Sequence, residues 1–303
     1  MAKIAALDIG TNSLLLLVAE TGEGEPVRII EEIREPRLGA SFNENGNISE
    51  SAVERAKSAL KELVRIARDA GAEEFAAFGT RIFRSAANGR DVAERLSEIV
   101  PGGIEIITPE REAELAFLGA SRSLEVPGKL AVLDVGGGSS EISFGESEPE
   151  ISRSFPVGAV VLTEECGAVP PVSDRAARCM ESRMGKLIRL PQVEGDFTLV
   201  GVGGTITTLA AMQLGLRKYE PERVHGTVIS ARRIAEYGEL FRKICLRELR
   251  ERIPFAKKRA EILPAGAAIF AWIAARLNSR EVWISDRGPR WGAVISAAGE
   301  LKK

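Results

Sequence analysis

One pattern occurs twice in this chain and limits the folds open to it: an apolar strand-like run ending in an acid, a turn of glycine and hydroxyl residues, then a second apolar run. Leu130 to Phe144 reads LAVLDVGGGSSEISF, with Asp134 closing the first run, Gly136, Gly137 and Gly138 in the turn, and Ser139 and Ser140 after it. Glycines there let backbone N–H groups approach an anion that a Cβ would hold off, and the serines add hydroxyl donors. Asp134, at the strand end, is placed to hold a divalent cation directly or through water. A plain glycine hairpin explains that stretch alone just as well. Ala5 to Ala19 repeats the grammar, with Asp8, Gly10 and the polar trio Thr11, Asn12 and Ser13 between two apolar runs. Repetition of the unit predicts a duplicated architecture. A third glycine loop, GVGGT from Gly201 to Thr205, lies between the apolar run Phe197 to Val202 and the helical pattern ITTLAAM. Gly203, Gly204 and Thr205 would then sit at a helix N-terminus, where free N–H groups and the helix dipole favour phosphate.

These loops belong to a longer series: DIGTNS at Asp8 to Ser13, GTRIFRSAAN at Gly79 to Asn88, ITPEREAELAFLG at Ile107 to Gly119, DVGGGSSE at Asp134 to Glu141, GVGGT, and SDRGPRWG at Ser285 to Gly292. In this order they resemble the exopolyphosphatase and guanosine pentaphosphate phosphohydrolase family, over nearly the whole length. The resemblance implies an α/β chain with a duplicated actin-like (ribonuclease H-like) ATPase fold, its two domains flanking a cleft, in the short form that lacks the extra C-terminal domain of longer relatives. Domains are expected at 1–123 and 124–289, the first completed by a C-terminal helix at about 290–303.

The 303 residues, 28% of them charged, suit two ordinary domains. No apolar run reaches about 18 residues and Met1 to Asp8 lacks a signal-peptide core, so the expectation is a cytoplasmic protein with no membrane partner. Cys166, Cys179 and Cys245 are odd in number and lack metal-ligand spacing, and read as thiols rather than disulfides. His225 is the only histidine, which leaves little scope for zinc or histidine-dependent nucleophilic chemistry and shifts attention to carboxylates and a bound cation. From Gly201 onward there are 19 Lys and Arg against 10 Asp and Glu, although the net charge is only −2. Arg232-Arg233, Arg242-Lys243 and Lys257-Lys258-Arg259 fit solvated helix faces singly and a polyanion groove as a set. Duplex nucleic acid is not expected, because no recognised DNA- or RNA-binding module is present.

Along the chain, Val27 to Glu35 reads as a polar strand and Ala40 to Asn47 as an Asn- and Gly-rich loop. Ser49 caps a helix to Ala70 whose apolar side is Ala56, Leu60, Leu63, Val64 and Ala67, with Gly71 as its stop. Phe75 to Gly79 and Ile104 to Ile107 read as strands. Thr108 and Pro109 make a helix start. The first domain ends in the polar stretch Ser121 to Lys129. Helices follow at Val157 to Cys166, at Ser173 to Leu190, as a long basic helix from about Ser230, and at Pro264 to Leu277. After the strand EVWIS a loop leads into the terminal helix.

Periodicity does not choose among Glu110, Glu112 and Glu114, all of which suit a helix start. The resemblance chooses Glu112, at the family's catalytic position, and places Arg84 and Asn88 as phosphate contacts. Arg111 stands where the family often has an acid, and Leu15 where it commonly has a basic residue. Together these features predict water attack on the terminal phosphoryl group of a phosphate chain. Mg²⁺ or another divalent cation would be held by Asp134, Asp8 and Glu141, Glu112 would act as base or water-orienter, and Glu141 would assist. Polyphosphate leads as substrate, guanosine pentaphosphate follows, and a homodimer is compatible with the family. The rival readings are an ATP-dependent small-molecule kinase of the same superfamily and a non-catalytic nucleotide- or polyphosphate-binding regulator.

Overall fold

The computed structural model describes residues 1–40, 46–126, 128–193 and 195–300. Most of the loop expected at Ala40 to Asn47, Pro127 in the expected domain crossing, and residues 301–303 of the expected terminal helix lie outside those residues. The chain divides into two compact units, Met1–Arg122 with Pro289–Lys303, and Ser123–Gly288.

Unit 1 begins with a meander of β1 (Ala2–Ile9), β2 (Leu14–Thr21) and β3 (Val27–Arg34). There follow α1 (Glu50–Asp69), β4 (Glu74–Gly79), α2 (Arg81–Ser85), α3 (Gly89–Ser97), β5 (Glu105–Ile106) and α4 (Pro109–Ser121). The sheet order is β3-β2-β1-β4-β5, antiparallel through the meander and parallel from β1 to β4 to β5. Both faces are covered, which is why β1 and β2 read as almost continuous apolar runs. On one face Leu7, Leu14 and Leu16 pack with Ala56, Leu60 and Leu63 of α1. On the other, Ile4, Ala6 and Leu17 pack with Leu115 of α4 and with Trp291 and Val294 of the last helix, Pro289–Glu300. Arg290 pins that helix to the sheet through an ion pair with Glu31 at 2.6 Å and a hydrogen bond to the Leu16 carbonyl. Ser49 caps α1 by accepting from the Ala52 N–H, and Gly71 follows its end with φ +82°.

Unit 2 repeats the design. Its meander is β6 (Lys129–Val135), β7 (Ser140–Gly145) and β8 (Pro149–Phe155), followed by α5 (Ala159–Cys166), α6 (Asp174–Leu187), β9 (Phe197–Val202), α7 (Gly204–Gln213), α8 (Pro221–Val224) and β10 (Val228–Ser230). Next come α9 (Ala231–Lys243), α10 (Leu246–Arg252), a 3-10 turn at Lys257–Glu261, α11 (Leu263–Arg276) and β11 (Glu281–Ile284). The order β10-β11-β9-β6-β7-β8 matches unit 1 strand for strand, with β9 parallel to β6 and β11 parallel to β9; the antiparallel edge strand β10 is the addition. This is the duplicated actin-like α/β fold. Its core spans α5, α6, α7, α9 and α11, with Phe144, Phe241 and Phe270 fully buried.

Two expectations need correction. The long basic helix from Ser230 is two helices, because the chain leaves helical geometry at Ile244 and Cys245, where Glu248 caps the backbone N–H of Cys245 at 2.7 Å. Cys166 and Cys179 are not thiols but a disulfide, 13 residues apart in sequence, since residues 167–173 turn α6 back along α5 and bring the two Cα atoms to 5.5 Å. Cys245 is the free cysteine.

Candidate active site

The two repeated loops close with the same hydrogen bond. In unit 1 the Gly10 N–H donates to the Ser13 carbonyl at 3.0 Å, and in unit 2 the Gly136 N–H donates to the Ser139 carbonyl at 3.0 Å. Carbonyls within each loop are drawn back into the fold. Thr11 O accepts from Gly39 N at 2.8 Å and Asn12 O from Arg37 N at 3.1 Å; Gly136 O accepts from Ala159 N at 2.9 Å and Gly137 O from Val160 N at 2.8 Å, both in the first turn of α5. The amides of Thr11, Asn12 and Ser13, and of Gly137, Gly138 and Ser139, have no protein acceptor among the described residues. Each loop is therefore a set of donors without acceptors, a nest suited to an anion.

Sequence inspection overlooked Gly158, which makes the unit 2 loop possible. A Cβ there would lie 2.5 Å from the Gly137 carbonyl carbon and oxygen, so any side chain would force α5 off the loop. The available signal was a glycine directly before the helical run AVVL. Ser140 was expected to add a donor, but its hydroxyl donates to the Val157 carbonyl at 2.6 Å and serves the fold. Ser139 is buried beside it, and in unit 1 Asn12 Nδ2 donates to Ser13 Oγ at 3.2 Å.

Asp8 and Asp134 stand at corresponding places near the ends of β1 and β6. Asp134 is directly opposite Glu141 in the β6–β7 register, and Asp8 is directly opposite Leu15 in β1–β2. Leu15 thus holds in unit 1 the place Glu141 holds in unit 2. Glu141 is buried, and its Oε1 accepts from Ser154 Oγ at 2.7 Å. Among the described residues no group of three or more His, Cys, Asp or Glu side chains is arranged to hold a metal. The adjacent carboxylates Asp134 and Glu141 nevertheless fit Mg²⁺, a hard ion that takes one or two protein carboxylates and fills its remaining positions with water and phosphate oxygens.

The third loop closes on Asp134. Gly203 has φ +85°, and a Cβ there would be 2.6 Å from Asp134 Oδ1, so this turn needs glycine on both counts. Helix α7 then starts at Gly204 with the first-turn N–H groups of Gly204 and Thr205 available. The Thr205 side chain is buried against Gly266 of α11, which leaves its amide rather than its hydroxyl for a ligand.

In unit 1, α2 and α4 bring Arg84 and Glu112 together. Arg84 Nη2 donates to Glu112 Oε2 at 3.1 Å and Nη1 donates to the Ile107 carbonyl. Thr108 caps α4 by accepting from the Arg111 N–H at 3.2 Å, which fixes Glu112 in the first turn. Burial pushes the Glu112 carboxyl above its ordinary value, while the charge and hydrogen bond of Arg84 pull it down. Asn88 does not join them. Its Oδ1 accepts from Ile48 N at 2.8 Å and its Nδ2 donates to Ile48 O at 3.0 Å, so its amide clamps residue 48. Arg111, where the family often has an acid, pairs with Glu114 and donates to Ser296 Oγ of the last helix at 2.9 Å. His225 Nε2 lies 2.8 Å from the Ser123 carbonyl and Nδ1 accepts from the Asp286 N–H, which makes it a structural brace.

Anion nests at the same place in two copies of one α/β unit define a phosphate-handling protein of the actin-like class. The Ppx/GppA phosphatase family model matches residues 17–301, and the chain belongs to that family. It is similar to Exopolyphosphatase 2 of Mycobacterium tuberculosis, with 31% identity over 99% of each chain. It is also similar to the Ppx/GppA family member of Aquifex aeolicus, at TM-score 0.85 and 31% identity over 100% of this chain and 99% of the other. An exopolyphosphatase from Cytophaga hutchinsonii shares the fold at TM-score 0.87 and 22% identity, with 98% of each chain covered. No described helix is long and apolar enough to cross a membrane.

Proposed function

We propose that this chain is an exopolyphosphatase that uses water to release the terminal phosphate of inorganic polyphosphate, with guanosine pentaphosphate as a second substrate. The observation that carries the reading is the pair of nests, whose amides have no protein acceptor among the described residues. Water oxygen bonds to the terminal phosphorus, the phosphoanhydride P–O bond breaks, and the bridging oxygen leaves with its electron pair on the shortened chain. Glu112 orients the water and accepts its proton; the upward effect of burial makes it a better base than an ordinary carboxylate. Arg84 fixes the Glu112 carboxylate and has further N–H groups for a phosphate oxygen. Asp134 and Glu141 of unit 2 would hold Mg²⁺, which when bound neutralises charge developing on the phosphate oxygens, and Asp8 is the corresponding acid of unit 1. Asn88 is left out of the phosphate contacts because its amide is engaged elsewhere.

The test is phosphate release from polyphosphate and from guanosine pentaphosphate, with and without small-molecule acceptors. The expected result is acceptor-independent release, faster from polyphosphate. Transfer to an acceptor would replace the reading with a kinase, and tight binding without release would replace it with a regulator.

A further inference from the structure

The basic residues of unit 2 differ in how far they are neutralised. On α9, Arg232 and Arg233 both pair with Glu236 at 3.1 Å, and Arg242 pairs with Asp174 of α6. A different set gathers around a hollow of about 350 Å³ lined by Arg217, Arg247, Arg250, Glu251, Pro254 and Lys257. The acids here do not balance the cations. Arg250 pairs with Glu261 at 2.6 Å and Arg247 lies 3.9 Å from Glu251, while Arg217 donates to the Glu251 backbone carbonyl at 3.1 Å. Among the described residues neither Arg217 nor Lys257 has a carboxylate partner. Each guanidinium has five N–H donors, so these contacts leave most of them available.

One short turn links the rim of the hollow to an anion loop in the same unit. Lys257 opens the 3-10 turn Lys257–Glu261, and Arg259 of that turn places its guanidinium where a Gly204 side chain would be, at the start of α7. Cations therefore run from the GVGGT loop along the turn to α10. Resting on the exopolyphosphatase reading, we propose that the cations around the hollow form a second grip for long polyphosphate, engaging chain phosphates beyond those at the loops. A single exposed cation contributes little at physiological salt, but a linear polyanion meets several at once, and its second contact forms at high effective concentration.

The test compares the wild type with the double variant Arg247→Glu/Lys257→Glu and the neutral double variant Arg247→Gln/Lys257→Gln, melting temperatures being measured for all three. The expected result is that kcat/KM for polyphosphate of hundreds of phosphates, relative to tripolyphosphate, falls about tenfold in the charge reversal and less in the neutral variant, with a shallower salt dependence in both. Equal effects on long and short chains, or none on either, would overturn the proposal. So would duplex DNA displacing labelled long polyphosphate as well as unlabelled polyphosphate does at equal phosphate concentration. If the wild type hydrolyses no polyphosphate, the exopolyphosphatase reading fails, and the isotherms for labelled long polyphosphate still decide the hollow: unchanged affinity in the charge reversal defeats it.

Discussion

Replacing Glu112 with Gln tests both the assignment of that residue and the physical reason for it. The amide keeps the shape of the side chain and an oxygen for Arg84 Nη2, which lies 3.1 Å from Glu112 Oε2, and Arg84 retains the Ile107 carbonyl. Geometry should survive while the capacity to take a proton is lost, so turnover should fall on the order of 10²-fold or more, at least ~2.7 kcal/mol of transition-state stabilisation. Polyphosphate affinity should hold. The raised pKa adds two pH signatures. Glu112 must be ionised to act, so the acid limb of the wild-type kcat profile should lie above the ordinary carboxyl value of 4.5. A carboxyl raised in the folded state contributes stability that is present below its unfolded pKa and lost as pH rises through the folded value. The melting temperature of Glu112→Gln should therefore gain on the wild type as pH rises from the ordinary carboxyl range upward. Phosphate release, a binding isotherm and melts across that rise in pH make the measurement. Full turnover in the mutant refutes the assignment, and a melting difference that moves the other way refutes the account of its environment.

Asp134→Asn removes one charge from the pair opposite Glu141, so half-maximal activity should require much more Mg²⁺; coincident metal titrations for mutant and wild type would place the cation elsewhere. Leu15→Arg is predicted to lower KM for polyphosphate about tenfold with little change in kcat, because Leu15 is partly exposed opposite Asp8 whereas Leu14 and Leu16 are fully buried. A folded mutant with unchanged KM defeats that idea, and a large fall in melting temperature would return Leu15 to the core. Cys166→Ser opens a short loop and should cost about 3 kcal/mol of stability without reductant and little with it, as read from denaturant titrations of both proteins. A loss of the same size in reductant would mean that the residue matters through packing.

Much of this protein is written locally. The strand–acid–glycine–hydroxyl units announce the two nests, because close backbone approach to an anion depends on which few consecutive residues lack a Cβ. Ser49 and Thr108 announce their helices, since an N-cap acts within its own first turn. Duplication is equally legible, because it requires only that one grammar occur twice. Pairings across distance are not local, and tertiary structure alone decides them. Nothing near Arg84 says that α4 will deliver Glu112 to it, that Ile48 will occupy both ends of the Asn88 amide, or that Arg111 will reach Ser296. Cys166 and Cys179 look like separate thiols until α6 folds back along α5. Leu15 is the clearest case. It lies in the uniform apolar run LLLLVA, where alternation cannot say which residues face the core, and only the pairing of β2 with β1 puts it opposite Asp8, in the place that Glu141 fills in the other unit. The face a strand residue occupies follows from hydrogen-bond register with its neighbours, and register belongs to the sheet rather than to any one strand.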